Sequence, residues 1–477
     1  MRYRIESDSL GEKQVPAEAY YGIQSLRGKE NFQITKRGIG RHMIKALAVV
    51  KKAAAKANQE AGLIDEKIAK VIMLSCDEII NGRLHGQFIT DLIQGGAGTS
   101  MNMNANEVIA NRANEMLGGE KGKYNFVHPL DHVNFSQSTN DVIPTAGKIA
   151  AIRQTKKLLV ELKKLHNAYI DKMNEFKDVI KLGRTHLQDA VPIRLGQEFE
   201  AFAGVLQRDI ERIEYALEFL KEINMGATAI GTGINANQKY IKKVISHISK
   251  FTGEDFKSSK SLVDATRHLD TFLGLSSALK ILAVNLSKTA SDLRLMASGP
   301  VLGFKEINLP KVQPGSSIMP GKVNPVIPEV VNQVAFYVMG LDVTITKAVE
   351  AGQLELNVFE PIILNALFDE ITFLRRAART FREKAIEGIT ANIDYCNEMV
   401  EHSPGLVTAL SPHLGYETSS AIVNEAINTR RTIREIVLEK KLLTDEELEI
   451  ILDVHHMTSP GISGEELLSI RRNKVMK

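Results

Sequence analysis

Residues 149–176 read IAAIRQTKKLLVELKKLHNAYIDKMNEF. Ile149, Ile152, Leu159, Leu162, Leu165, Tyr169, Met173 and Phe176 recur mostly at steps of three and four, with lysines and glutamates between them. At 3.6 residues per turn those positions fall on one stripe, so the stretch predicts a long amphipathic helix whose apolar face needs a partner. The pattern returns over 194–223, where Phe199, Phe202, Leu206, Ile213, Leu217 and Leu220 share a face, and again over 261–297, 326–350 and 362–386. A shorter helix is expected over 237–251. Ser298-Gly299-Pro300 and Pro361 punctuate the series, as glycine and proline do where helices stop. Five long helices joined by polar connections, with no βαβ alternation, predict a mainly α fold with a central bundle of five long helices. Segments such as 275–286 are apolar on more than one face, so lateral association into an oligomer is expected.

Smaller domains flank that bundle, which is assigned residues 141–394. Residues 1–140 predict a mixed, mostly helical N-terminal domain, with a turn at Pro16–Gly22 leading into a helix start and an alanine- and lysine-rich helix over 43–61. Residues 395–477 predict a small C-terminal helical domain, in which Thr444-Asp-Glu-Glu447 has capping-box spacing.

An apolar fraction of 44% with 25% charged residues is that of a globular chain and argues against disorder. Acidic and basic residues interleave to a net charge of +3, so no nucleic-acid footprint is visible. The basic stretch Arg471-Arg-Asn-Lys474 is expected to be a frayed tail. No run of about 18 apolar residues suggests a membrane span. The charged start MRYRIESDSLGEKQ has no apolar or arginine-rich leader, so a cytoplasmic location is expected. Cys76 and Cys396 are far apart and form no metal-binding spacing, which leaves neither a disulfide framework nor a metal site in expectation.

Polar, small-residue stretches interrupt the helical patterns. QGGAGTSMNMNANE at 94–107 places three glycines, Thr99, Ser100 and three asparagines just ahead of a helix, and serves equally as a capping turn or as an anion site with free backbone N–H groups. NFSQSTND at 134–141 is closed by Pro144; GRTHLQDAVP at 183–192 sets Thr185 and His186 in a polar turn; GATAIGTGIN at 226–235 is a further small-residue connection. GSSIMPGKVNP at 315–325 is an irregular segment between two helices, as active-site lids often are. Its Ser316 and Ser317 can exchange protons, while Lys322 and Asn324 can hold a carboxylate by charge and hydrogen bonds. Without an aromatic platform, these loops suit a small, oxygen-rich anion rather than a nucleobase or lipid.

Together, GGAGTSMNMNANE, SQSTND with GRTHLQDA, and GSSIMPGKVNP resemble the three signature regions of the fumarase/aspartase superfamily, homotetrameric lyases that cleave C–N or C–O bonds and release fumarate. Gln94-Gly-Gly-Ala-Gly-Thr-Ser, Thr139, Val326-Ile-Pro-Glu-Val-Val-Asn and Gly352-Gln-Leu-Glu-Leu-Asn-Val-Phe-Glu-Pro361 are most similar to the aspartase branch, although Phe359 stands where methionine is common there. The resemblance implies an aspartase/fumarase-like fold and reversible anti elimination of ammonia from L-aspartate to give fumarate. It implies Ser316 as general base, Thr99, Ser138, Thr139 and Ser317 at the β-carboxylate, and Lys322 and Asn324 at the α-carboxylate. It puts Asn140, Thr185 and His186 at the amino group, with Glu329 orienting His186. No cofactor is required on this reading, divalent-cation activation occurs in some relatives, and a homotetramer with active sites shared between subunits is the expected assembly. A class II fumarase acting on malate and a catalytically silent helical scaffold are the alternatives.

Overall fold

The five stripes read from the sequence are helical in the structure, a computed structural model that describes residues 2–468; the tail Arg471–Lys474 lies outside the described residues. A hairpin of β1 (Tyr3–Asp8) and β2 (Gly11–Pro16) opens the chain, before α1 (Ile23–Asn31), α2 (Arg41–Glu60), α3 (Glu66–Ile80) and α4 (Thr99–Met116). The first long helix is α5 (Thr139–Glu175), and a second hairpin, β3 (Ile180–Thr185) and β4 (Gln188–Arg194), leads into α6 (Leu195–Phe219). Then come α7 (Gln238–Thr252), α8 (Leu262–Arg267), α9 (Asp270–Met296), α10 (Val326–Glu350) and α11 (Glu360–Lys384). Five short helices follow: α12 (Ile393–Glu401), α13 (Val407–Leu414), α14 (Tyr416–Thr429), α15 (Ile433–Glu439) and α16 (Asp445–Ile451).

These elements form two compact units, Met1–Val160 with Asp209–Val284 and Val334–Arg376, and Glu161–Arg208 with Asn285–Gln333 and Ala377–Lys477. In the first unit α2 packs on α3 and α7, and α1 and α3 pack on α4. Met43, Leu47, Val50 and Ala54 follow the helical period along α2 and are buried, the alanines letting neighbouring backbones approach. In the second unit Tyr169, Phe176, Phe199 and Phe202 form one aromatic cluster with ring centroids 5.5 to 6.5 Å apart. A satellite core joins Leu410, Ile422, Ile433, Ile436, Leu448 and Ile451 from α13–α16. Each such side chain contributes about 1.5–3 kcal/mol on burial. The Thr444 capping box forms as its spacing predicts, and a second one, Thr432 with Glu435, caps α15.

Several boundaries differ from the sequence reading for local reasons. α5 begins at Thr139, inside the polar cluster, and runs through Pro144. The missing proline N–H releases the Asn140 carbonyl, which accepts instead from Asn224 Nδ2 at 3.0 Å, so the helix continues. The helix expected over 261–297 is broken at extended His268, whose Nδ1 pairs with Asp264 at 2.6 Å; Asp270, favourable at a helix N-terminus, starts α9. Residues 183–192 belong to an antiparallel hairpin rather than an isolated turn. Pro361 lies within the first turn of α11, where no donor is needed, instead of preceding it.

α10 has the length and apolar composition of a membrane-crossing helix, yet only a third of that window is buried. Phe336, Tyr337 and Val343 stand exposed along it.

Candidate active site

Gly96, Ala97 and Gly98 take φ of 82°, 55° and 87°, a left-handed turn that leads into α4 and engages its first amides: Thr99 N donates to Gly96 O at 2.9 Å and Met101 N to Gln94 Oε1 at 3.1 Å. A Cβ on Gly98 would come within 3.1 Å of Ile143 Cγ1, so glycine lets this turn lie against α5. Thr99 is exposed at the head of α4 and donates its hydroxyl to Gly96 O at 2.7 Å. Asn102 Nδ2 reaches across to Thr139 Oγ1 at 3.3 Å and to Asn134 Oδ1 at 3.2 Å, which joins the 94–107 and 134–141 stretches. Ser138 Oγ accepts from Asn140 N at 3.3 Å, and Asn140 Nδ2 donates to Ala229 O at 2.7 Å. Thr99, Ser138, Thr139 and Asn140 thus belong to one patch at the heads of α4 and α5, where helix dipoles favour an anion.

Two buried ionisable side chains lie beneath this patch, Lys51 and Asp141. Lys51 Nζ donates to Asn134 Oδ1 at 2.9 Å and Gln137 Oε1 at 3.0 Å. Asp141 accepts from Ser138 N at 3.0 Å, Gly226 N at 3.2 Å and Thr228 N at 3.1 Å. Burial pushes the Lys51 ammonium down and the Asp141 carboxyl up, and their mutual attraction opposes both shifts. The three N–H donors to Asp141 favour the carboxylate against that burial, and Asp141 acts as a staple fastening the 226–228 connection to the head of α5.

In the second unit, His186 and Leu187 form the two-residue tip of the β3–β4 hairpin with φ of 54° and 60°. Such turns favour asparagine and glycine; two ordinary side chains here are strained. The hairpin is held lower down by Glu306, which pairs with Lys181 at 2.9 Å and with Arg184, whose guanidinium also lies 4.2 Å from the Phe304 ring centre. Thr185 and His186 remain exposed.

The 315–325 segment is irregular, as expected, and closed by its own backbone. Gly315 N donates to Lys322 O at 2.8 Å and Asn324 Nδ2 to Gly315 O at 2.6 Å; a Cβ on Gly315 would stand 2.6 Å from that Lys322 oxygen. Within the clasp, Ser316 Oγ accepts from Ile318 N at 3.3 Å and Met319 N at 3.1 Å. Ser317 and Lys322 face solvent. Among the described residues no hydrogen bond or ion pair joins Glu329 to His186, and no group of three His, Cys, Asp or Glu side chains is placed to hold a metal.

Comparison with known proteins places this geometry in a family. The chain matches the lyase family over residues 11–340 and the fumarase C C-terminal family over residues 406–459. It is 54% identical to the aspartate ammonia-lyase of Bacillus subtilis, over 98% of each chain. The chain belongs to the fumarase/aspartase superfamily. Among solved superfamily structures, a fumarate lyase:delta crystallin from Brucella melitensis bound to cobalt aligns with a TM-score of 0.94 and 48% identity, covering 96% of this chain and all of that one. The class II fumarase of Schistosoma mansoni aligns at 0.93 and 36% identity over the same shares.

Within the superfamily signatures, several side chains serve the scaffold. Asn102, Asn104 and Asn106 lie inside α4, buried and bonded within the protein, so they are not ligand donors ahead of the helix. Glu107, which ends the motif, is buried and receives Gly22 N at 2.8 Å, Gln24 N at 2.9 Å and Ser25 N at 3.1 Å, fixing the start of α1. The sequence reading passed over Lys51, Asp141 and Glu107. Only Lys51 carried a signal, a lysine on the same α2 stripe as Leu47 and Ala54.

Proposed function

We propose that the protein is a carbon–nitrogen lyase that converts L-aspartate reversibly to fumarate and ammonia by anti elimination. The observation carrying this reading is the clasped loop in which Ser316 Oγ accepts two backbone N–H groups. Both bonds strengthen when the oxygen becomes an alkoxide, which lowers the cost of deprotonating an ordinary serine. Family membership and the 54% identity to an aspartate ammonia-lyase support the choice of substrate.

Ser316 removes the proton from the carbon beside the β-carboxylate. That electron pair forms the double bond, and the C–N pair leaves with ammonia. The β-carboxylate carries extra negative charge meanwhile, and hydroxyls from Thr99, Ser138, Thr139 and Ser317 stabilise it; donors aimed at developing charge are usually the largest catalytic term. Lys322 and Asn324 hold the α-carboxylate, Asn324 with the amide hydrogen not engaged by Gly315. Asn140, Thr185 and His186 receive the amino group, and Glu329 acts behind His186. The substrate's own carboxylate is the electron sink, so no redox cofactor enters; a divalent cation would act as an activator only.

We infer a homotetramer in the cytoplasm with active sites built from more than one subunit. Exposed Phe336 and Val343 on α10 and the 84% exposure of Ile318 at the tip of the serine loop support such covering by neighbouring copies. The test is an assay of purified protein with L-aspartate and, separately, L-malate, following fumarate absorbance. Turnover of aspartate is expected. Turnover of malate alone would make the protein a fumarase, and inertness toward both would make it a silent scaffold.

A further inference from the structure

α2 and α5 border a second concave surface in the first unit, a cleft of about 730 Å³. Arg41, His42 and Lys45 project from α2, and Arg153, Lys156 and Lys157 from α5, with Asn81, Gly82, His85 and Val160 completing the lining. Among the described residues only Lys156 of these cations has an acidic partner, Glu254; Arg41, Lys45, Arg153 and Lys157 form no ion pair. Like charges one helical turn apart, as Arg41 with Lys45 and Arg153 with Lys157, destabilise a helix. Solvent does not fully relieve this crowding. His42 and Arg153 are only partly exposed, and burial lowers the proton affinity of both; at His42 the surrounding Lys157, Arg375, Lys45 and Arg153 lower it further, while Glu254 acts the other way on Arg153.

We propose that this cleft is a binding site for a compact oligoanion carrying three or more negative charges, an oligophosphate or a tricarboxylate. Four unpaired cations facing one hollow exceed what a single phosphate or a dicarboxylate can neutralise. The lining offers no aromatic ring beyond the histidines, and Val160 is its one wholly apolar side chain, so charge, not ring stacking, sets the recognition.

Calorimetric titration of the full chain with sodium tripolyphosphate, trisodium citrate and orthophosphate at low, matched ionic strength tests this. Tripolyphosphate, citrate or both should bind at least about tenfold more tightly than orthophosphate. Lys45→Gln/Lys157→Gln should weaken that binding at least about tenfold, whereas Lys67→Gln/Lys123→Gln, which removes the same charge from exposed positions elsewhere, should leave it unchanged. Binding of both anions assigns the site to trianions generally, and binding of one alone identifies the class. Equal weakening by both double variants, or no binding by the unmodified chain, would overturn the proposal; circular dichroism checks that each variant is folded.

Discussion

Ser316 sits two and three residues before the amides that bond it, in a loop that Gly315 closes by bonding Lys322 and Asn324. Replacing Ser316 by alanine therefore removes the proposed base without disturbing the clasp. Steady-state kinetics should show kcat reduced about 10²–10⁴-fold, the usual worth of a positioned base, with KM changed little. Lys322→Ala should do the reverse, raising KM more than it lowers kcat. A Ser316→Ala enzyme of near-normal kcat would eliminate this residue as the base. Local structure set by near neighbours, such as the irregular loop that closes around Ser316, was legible in the sequence. Asp141 was not: its partners Gly226 and Thr228 are distant along the chain, and nothing in SQSTND marks its last residue as a staple.

At the scale of elements, the long helices were readable because packing obeys the same period that the sequence displays: all six stripe residues that the pattern singles out over 194–223 are buried, Phe202 being the most exposed at 8%. The β3–β4 hairpin was hidden because its tip, His186-Leu187, lacks the residues such turns prefer. Helix packing also creates a titration that no single helix encodes. Ser276 of α9 bridges Asp342 of α10 at 3.0 Å and Glu370 of α11 at 3.1 Å, and Lys280 pairs with Asp342 at 2.7 Å, leaving Glu370 without an ion pair of its own among the described residues. Burial, reinforced by the charge of Asp342, pushes Glu370 up to about 9 from its ordinary 4.5, while the Ser276 hydrogen bond and the charge of Lys280 oppose. Below pH 4.5 both folded and unfolded chains hold this proton, so it has no effect on stability. Between 4.5 and 9 only the folded chain keeps it, and stability falls as pH rises, by at most about 1.4 kcal/mol per unit, before levelling off. Denaturant unfolding at pH 5, 7 and 9 should show this decline in the natural chain and a flatter profile in Glu370→Gln. Parallel profiles would show that Glu370 is already ionised at neutral pH.

For the whole molecule, the decisive quantity is apolar surface that one chain leaves uncovered. Phe336 and Val343 lie seven residues apart on α10, two helical turns along one face, and are 62% and 60% exposed. The sequence reading put a surplus apolar face on 275–286, where Ile281 and Val284 of α9 are exposed, but did not single out α10, because exposure depends on which side of each helix the same chain has already covered. The proposed assembly would account for the membrane-like composition of α10, because a helix enclosed by protein copies needs no charged face. Lysine at both positions should cost little within a single chain, where both already meet solvent, and should oppose association by desolvating two charges at every contact. Light scattering should then report four times 52.8 kDa for the natural protein and a smaller assembly for Phe336→Lys/Val343→Lys, with helical circular dichroism retained. If active sites draw residues from several subunits, aspartate turnover should fall in step with the tetramer fraction and return when high protein concentration restores association. A natural chain that turned over aspartate as a 52.8 kDa monomer would show that one subunit suffices for chemistry and that α10's exposed face has another purpose.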